Sequence, residues 1–563
     1  MPTTSTEVSF GLYALAIKPD GTPSSASDLQ TFSNLDDLRT GNVSGHPYAS
    51  YEPDFWLLNG GYKFMPDDAD LIHVGLMSLD QSDVNGDFAT PPVLTIDFTE
   101  AHTSDGLVLH FSRYTGDYAN SIMVQWNTLG GALIRQDIYA PDSADYTIDE
   151  AVSNFGQIVI TFFSTSRPYR YLRVMGIDYG YLITFTGADI KSAHVVEDTD
   201  PIGAELRSDS LEIALYSSDA TFNPLNPSGY YEALKERQPL IVYEIVDNAP
   251  IFIGQYFLDE WQNTGDTEIA FRCVDLIGLM EELTTRGGLW ESPGIALEDL
   301  LEDLLTSAAI PYELDPALVG TAIIGWLPAG TLRAALQQIA FAVGASVDCS
   351  RSWAVKIVPS PMASGASMAT ITRAQKGIEQ SLTLRPLVTS VEVVAHNYSE
   401  GTDSLDLFDG TLAAGTHEIL FDEPAHTLNI AGATITESGA NYAIIEVATP
   451  GTVTLTGSAY VDSQMIYQVV NESAAGSIRP GLSIDKATLV HGGNVATVAY
   501  RVYDYHQQRY QQAVKLFAPL VEVGQVVTVD ALYGQHIRGV IESMSINLAG
   551  GMIAQVEIVG VAL

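Results

Sequence analysis

Apolar and polar residues alternate with a period of two over most of this chain. The alternation is cleanest between 92 and 180. There Leu107, Leu109 and Phe111 share one strand face, Ile122, Val124 and Trp126 a second, and Ile158, Ile160 and Phe162 a third. Turn residues at Tyr114-Thr-Gly-Asp, Leu129-Gly-Gly, Pro141-Asp-Ser and Ser164-Thr-Ser-Arg-Pro cut this stretch at the spacing of a β-sandwich.

Helical spacing is confined to a few places. Leu297, Leu300, Leu301, Leu304, Leu305 and Ala308 recur at i, i+3, i+4, i+7, i+8 and i+11, with Glu298, Asp299, Glu302 and Asp303 on the opposite face and Pro311 as the stop. Thr331 is the expected N-cap of a second helix that turns Leu332, Leu336, Ile339 and Val343 inward and ends at Gly344. A hairpin around Ser350-Arg-Ser-Trp follows, and a third helix is expected over 495–511. A further hairpin pairs 240–245 with 251–256, preceded by a helical turn at 231–237. The last strands, with Gly524, Gly534, Gly539 and Gly550-Gly551 at their turns, read as a small barrel or half-barrel.

These patterns give a mainly β, multidomain chain with an inserted β-sandwich and a small α+β subdomain. The expected divisions are N-terminal strands at 1–91, the inserted sandwich at 92–180, a continuing β domain at 181–290 and the α+β subdomain at 291–360. Strands at 361–396, a second small sandwich at 397–462 and a C-terminal helix with barrel-like strands at 463–563 complete it. A length of 563 residues accommodates several domains of ordinary size.

Composition narrows the function. The 69 acids against 26 Lys and Arg give a net charge of −43, which excludes a clamp that neutralises phosphates. The charge is uneven, since residues 471–563 hold seven acids and six bases. Two cysteines, Cys273 and Cys349, make no disulfide framework and are expected to be isolated buried thiols. The N-terminus lacks the basic and apolar regions of a secretory signal, and no apolar run reaches membrane-spanning length, so synthesis in a cytoplasm is expected.

No His-Glu-x-x-His, Cys-x-x-Cys, Gly-x-Ser-x-Gly or phosphate-cradling Gly-x-x-x-x-Gly-Lys-Ser/Thr occurs, and no enzyme, metal or cofactor is expected. In the Asp- and Asn-rich run at 80–88, placing Gly86 sixth in a calcium loop puts Gln81 first and Pro92 twelfth, so this run is a turn. Spacing leaves one enzymatic alternative open, a carboxylate pair for glycoside hydrolysis. Sugar binding has better-placed candidates. Tyr114, Asp117, Tyr118 and Asn120 crowd one loop of the 92–180 sandwich, and Arg167 and Tyr169 another. Aromatic faces stack on sugar rings while carboxylates, amides and guanidiniums fix hydroxyls.

The order of blocks resembles a known family. Tyr51-Glu-Pro-Asp-Phe-Trp-Leu-Leu-Asn-Gly, the module ending Tyr169-Arg-Tyr-Leu-Arg-Val-Met-Gly-Ile-Asp-Tyr-Gly, and above all Phe222-Asn-Pro-Leu-Asn-Pro-Ser-Gly-Tyr-Tyr resemble tail-tip or baseplate hub proteins of phages, prophages and phage-tail-like particles of Gram-positive bacteria. The resemblance implies a homotrimeric ring closing the distal tail tube. Its implied partners are a distal tail or tail tube protein and a tip spike, fibre or tape-measure protein, and DNA passes through without specific binding. It implies a galactose-binding-type sandwich at 92–180 that contacts host wall carbohydrate, and a place in the virion at the tail tip. Some relatives carry a C-terminal peptidoglycan hydrolase, and none is expected after the barrel-like pattern here. A receptor-binding adhesin and a polysaccharide depolymerase remain the alternatives. In a trimer, acidic channel walls would let DNA pass without sticking, and the near-neutral last 93 residues, with the first strands, are where subunit contacts are expected.

Overall fold

The structure is a computed structural model that describes residues 3–14, 16–31, 33–40, 52–53, 74–112, 115–217, 222–223, 234–247, 249–263, 267–377, 379–472, 481–531 and 534–563. Tyr114, the aromatic run beyond Pro53, the Asn-Pro block after Asn223 and the first half of the 231–237 turn lie outside them. The chain is mainly β and forms two compact units. One comprises Met1–Ile190, Leu215–Leu258 and Gln262–Ile269, the other Lys191–Ala214, Asp259–Trp261 and Ala270–Leu563. No described helix is long and apolar enough to cross a membrane.

In the first unit the sandwich has two layers. One sheet runs in the order Thr22–Ser25, Val93–Ser104, Val152–Thr165, Ala119–Asn127, Leu133–Tyr139. The facing layer joins Asp145–Ile148, Leu107–His110 and Gly176–Thr186. Leu94, Ile122, Val124, Trp126, Ile158, Ile160 and Phe162 from one layer meet Leu107, Leu109, Ile148, Ile177 and Tyr179 from the other in a single core. The period-two faces read from the sequence are thus the buried faces, each large side chain contributing about 1.5–3 kcal/mol by leaving water. The sandwich draws a strand from outside 92–180, because Thr22–Ser25 pairs with Val93–Ser104 from Thr22↔Asp97 to Ser25↔Leu94. Its second layer also continues into the N-terminal strand. Thr4–Tyr13 lies antiparallel between Gly176–Thr186 and Pro239–Val246, which in turn forms the expected hairpin with the strand beginning at Ala249.

The second unit contains the C-terminal sheet, the α+β segment and the small sandwich. Gln380–Leu384, Tyr510–Phe517, Ile553–Ala562 and His536–Asn547 pair in that order, and His536–Asn547 continues to the strand ending at Asp198. The helix Leu332–Val343 has the predicted ends: Thr331 Oγ1 accepts the Ala334 N–H, and Gly344 adopts φ +82°, where a side chain would be strained. Helix Val495–Gln507 packs Val495, Val498, Ala499 and Val502 on a sheet carrying Val391, Val393 and Val469. In the small sandwich, Tyr398–Leu412, Gly451–Asp462 and Ala425–Ala431 form one sheet, and Gly415–Leu420, Tyr442–Val447 and Thr434–Ser438 the other, over one shared core.

Two predicted helices are shorter than expected. The 297–308 pattern is α-helical only over Leu297–Leu301 and continues as a π turn, Glu302–Thr306, which keeps Leu301 and Leu305 buried; Ala309, at φ +55°, then turns the chain before Pro311. The 495–511 helix stops at Gln507, because residues from Tyr510 onward bury Gln512, Val514 and Leu516 alternately against the sheet, a period that a helix cannot satisfy.

Candidate carbohydrate-binding edge

The loops holding the candidate sugar ligands are joined by backbone and by charge. Ser166 donates its N–H to the Tyr118 carbonyl at 2.8 Å, and the Tyr118 N–H returns a bond to Ser166 Oγ at 3.2 Å. Asp117, only 5% exposed, lies between two guanidiniums, with Arg167 Nε at 2.7 Å from one oxygen and Arg170 Nε at 3.1 Å from the other. Its carboxylate is therefore engaged by protein before any hydroxyl could reach it. Arg170 donates to the Pro53 carbonyl at 2.5 Å, and Arg173 makes a two-pronged contact with the buried Glu52 at 2.9 and 2.5 Å. Glu52 also accepts the Tyr171 N–H at 2.8 Å.

The remaining candidates differ in what they present. Tyr118 is half-buried and packs on the sandwich core. Asn120 is exposed, and its carbonyl oxygen accepts the Ser164 hydroxyl at 2.5 Å, a bond that does not use its amide NH2. Arg167 is about half exposed and also bonds the Thr115 carbonyl. Tyr169 is 43% exposed on a left-handed backbone, φ +57°, with its N–H on the Asp83 carbonyl. One stacking face, one guanidinium and one amide thus stand at this edge. Arg170, Arg173 and Glu52 were not singled out in the sequence. The available signal was three arginines within Arg167-Pro-Tyr-Arg-Tyr-Leu-Arg, in a chain with few cations.

The 80–88 run is a turn. Asp83 accepts the Asn85 and Asp87 N–H groups at 2.7 and 3.0 Å, bonds that hold its carboxyl below the ordinary range. Gly86 takes φ +90° there, with the Thr165 carbonyl 2.7 Å from where a Cβ would sit.

A second polar centre lies inside the same unit. His110 bridges Asp145 at 2.7 Å and Asp178 at 3.0 Å, and Asp178 also holds Lys18 at 2.7 Å. Burial alone would depress the imidazole, but the two carboxylates outweigh it and raise His110 to about 9. Burial likewise opposes ionisation of Asp178, yet Lys18 and His110 hold it well below the usual carboxylate range.

In the second unit Asp209, Asp275 and Cys349 place their ligand-type atoms within 4.8 Å of one another. Hydrogen bonds account for these atoms without an ion. Asp275 caps the helix Leu276–Leu279 through the Gly278 N–H at 2.7 Å and accepts the Asp209 N–H at 2.6 Å and the Cys349 thiol at 2.9 Å. Asp209 accepts the Asp198 N–H at 2.8 Å and the Ser350 hydroxyl at 2.7 Å. Both cysteines are buried and unbridged, as expected. Burial, reinforced by the neighbouring Asp275 charge, pushes Asp209 far up, and burial raises Asp275 to about 6. Raised carboxyl values favour the protonated fold, so the pair contributes its stability in full below the unfolded carboxylate range and loses it as pH rises through about 6. Thermal unfolding from about pH 5 to about pH 8 is expected to show a falling midpoint, and Asp209→Asn, which fixes a neutral side chain, is expected to flatten that slope.

No protein-family model matches the chain, and no curated protein does. Among solved structures, the chain is similar to a tail protein from Neisseria meningitidis at 10% identity and a TM-score of 0.40, covering 66% of this chain and 92% of that one. It is similar to the prophage tail protein gp18 from Listeria monocytogenes at 11% identity and a TM-score of 0.37, covering 66% and 94%. A family 32 carbohydrate-binding module from C. perfringens NanJ, in complex with galactose, aligns at 11% identity and a TM-score of 0.19, covering 31% of this chain and 99% of that one.

Proposed function

We propose that this chain is a non-enzymatic structural component of a phage or phage-like tail tip, a trimeric hub that closes the distal tube, anchors tip proteins and opens for DNA. The observation that carries the structural reading is the use made of the buried charges. Asp117, Glu52 and Asp178 each tie segments far apart in sequence through a cation, an arrangement that stiffens a scaffold. The resemblance of the Phe222-Asn-Pro-Leu-Asn-Pro block and its neighbours supports the tail assignment and, with it, a tail tube partner and a spike, fibre or tape-measure partner. Light scattering on the purified chain is expected to return three times the 60.7 kDa chain mass. A monomer at every concentration that does not join a tail tube protein would overturn the hub.

A second reading, carbohydrate attachment, is favoured by the exposed Tyr169 beside Arg167. Binding to a host wall glycan array is expected to be lost in Tyr169→Ala at a stability change within about 0.5 kcal/mol, since only a surface side chain is removed. Asp117→Asn, by contrast, is expected to weaken the fold, because it removes a buried carboxylate that faces Arg167 at 2.7 Å and Arg170 at 3.1 Å. Equal glycan binding by wild type and Tyr169→Ala would remove this edge from the reading.

A further inference from the structure

The strand Gln380–Leu384 ends its sheet. It pairs with Tyr510–Phe517 from Gln380↔Val514 to Leu384↔Tyr510, and no strand lies on its other side among the described residues. Successive residues of a strand point to opposite faces, so a strand in a folded domain ordinarily buries one face. This one buries neither: all five residues are exposed, Leu382 by 46% and Leu384 by 54%, with Tyr510 exposed beside Leu384. A bare edge with two leucines is a surface that proteins normally cover.

The charge around it reverses that of the chain. Residues 369–385 hold three cations, Arg373, Lys376 and Arg385, against the single acid Glu379, whereas the whole chain carries −43. Arg385 turns onto Glu542 at 3.6 Å and Asp530 accepts the Arg373 backbone N–H at 3.0 Å, so Arg373 and the half-buried Lys376 are the cations of this edge. Lys515 on the adjoining strand adds a fourth cation, paired with Glu379. Arg373 is exposed, and no ion pair engages it among the described residues.

The same unit carries the complementary surface. Residues 287–332 contain seven acids and no Lys or Arg. Asp299, Glu302 and Asp303 are exposed on the helix Leu297–Leu301 and its π turn, with Glu298 half-buried beside them, and no ion pair engages the four among the described residues. Beside them stands Val319, 55% exposed and held near the helix by the Gly320 N–H on Glu298 at 2.9 Å.

We propose that these two surfaces are the halves of one contact between copies of this chain, the cationic Gln380–Leu384 edge of one copy docking on the acidic 297–303 helix face of the next. The two halves differ, so the contact is heterologous, and a heterologous contact builds a ring when its rotation closes. The proposal rests on the trimeric reading above and assigns that ring its surfaces. Charge complementarity favours a second copy as occupant, because opposite charges steer the encounter and like charges at the same place block it.

The test is light scattering of the full-length chain in low and high salt, with far-UV circular dichroism to verify folding. Wild type is expected to form a salt-sensitive trimer. Arg373→Glu with Lys376→Glu, and separately Glu302→Lys with Asp303→Lys, are each expected to weaken association by about tenfold or more. The chain carrying all four reversals is expected to regain the trimer, a result that a merely damaged fold would not give. A wild-type trimer that persists in both two-site variants overturns this assignment and leaves the trimeric reading standing, whereas a monomeric wild type overturns both. Loss of duplex-DNA retention by the Arg373→Glu, Lys376→Glu variant with unchanged self-association would assign the cations to nucleic acid and overturn the proposal.

Discussion

Asp178→Asn is expected to lower unfolding stability at neutral pH by about 3 kcal/mol, the cost of removing the carboxylate that the half-buried Lys18 and His110 share, although His110 keeps Asp145. Asp178 is 14% exposed and faces Lys18 at 2.7 Å and His110 at 3.0 Å, so its loss unsettles two partners at once. The pH profile separates this charge effect from simple packing damage. Asp178, whose folded value is depressed, contributes above the unfolded carboxylate range and loses its contribution only in strong acid. His110, raised to about 9, contributes in full below the ordinary imidazole value and loses its contribution as pH rises through about 9. Wild type should therefore weaken on the alkaline side, and Asp178→Asn should show a smaller alkaline loss from a lower starting point. Chemical denaturation across that range reads both quantities.

The second large effect is expected at Arg351. Its guanidinium meets the fully buried Glu197 at 2.9 and 3.1 Å and donates to the Val521 carbonyl at 3.1 Å, joining three segments of the second unit. Burial pushes Glu197 up, and Arg351 is what restrains that rise. Arg351→Met is expected to cost about 3–5 kcal/mol by stranding a buried carboxylate, and adding Glu197→Gln should recover part of the loss, since the stranded charge is then gone. A double-mutant cycle by urea unfolding measures the recovery; additive losses would mean that the pair does not act as a unit.

Arg351 also illustrates where sequence reasoning stops. Its neighbourhood, Ser350-Arg-Ser-Trp, reads as a hairpin turn, and residues 345–348 and 355–359 do form that hairpin. Nothing local announces that the arginine at the turn would meet Glu197 from a strand far upstream. The same holds at the candidate sugar edge. Asp117 sits in a Tyr-rich loop that suggests a hydroxyl ligand, and only the folded chain brings Arg167 and Arg170 onto it. Local signals are legible where the physics is local. Thr331 and Gly344 bound their helix because a cap hydroxyl and a left-handed glycine act within a few residues, and Ile158, Ile160 and Phe162 declare their buried face through the two-residue pleat alone. Pairing is different, since Thr22–Ser25 finds its partner beyond a long intervening segment, and the alternation of a strand carries no address for its neighbour. The shortened 495–507 helix belongs to the same class, because residues after Gln507 could continue a helix locally and are drawn into a sheet by Ile553–Ala562.

The claim that this chain is built into a tail tip is tested most directly by electron microscopy of intact particles labelled with an antibody raised against it. Label is expected at the distal end of the tail, in a ring of three copies. Label along the tube or on the capsid, or particles that carry none of this chain, would contradict it.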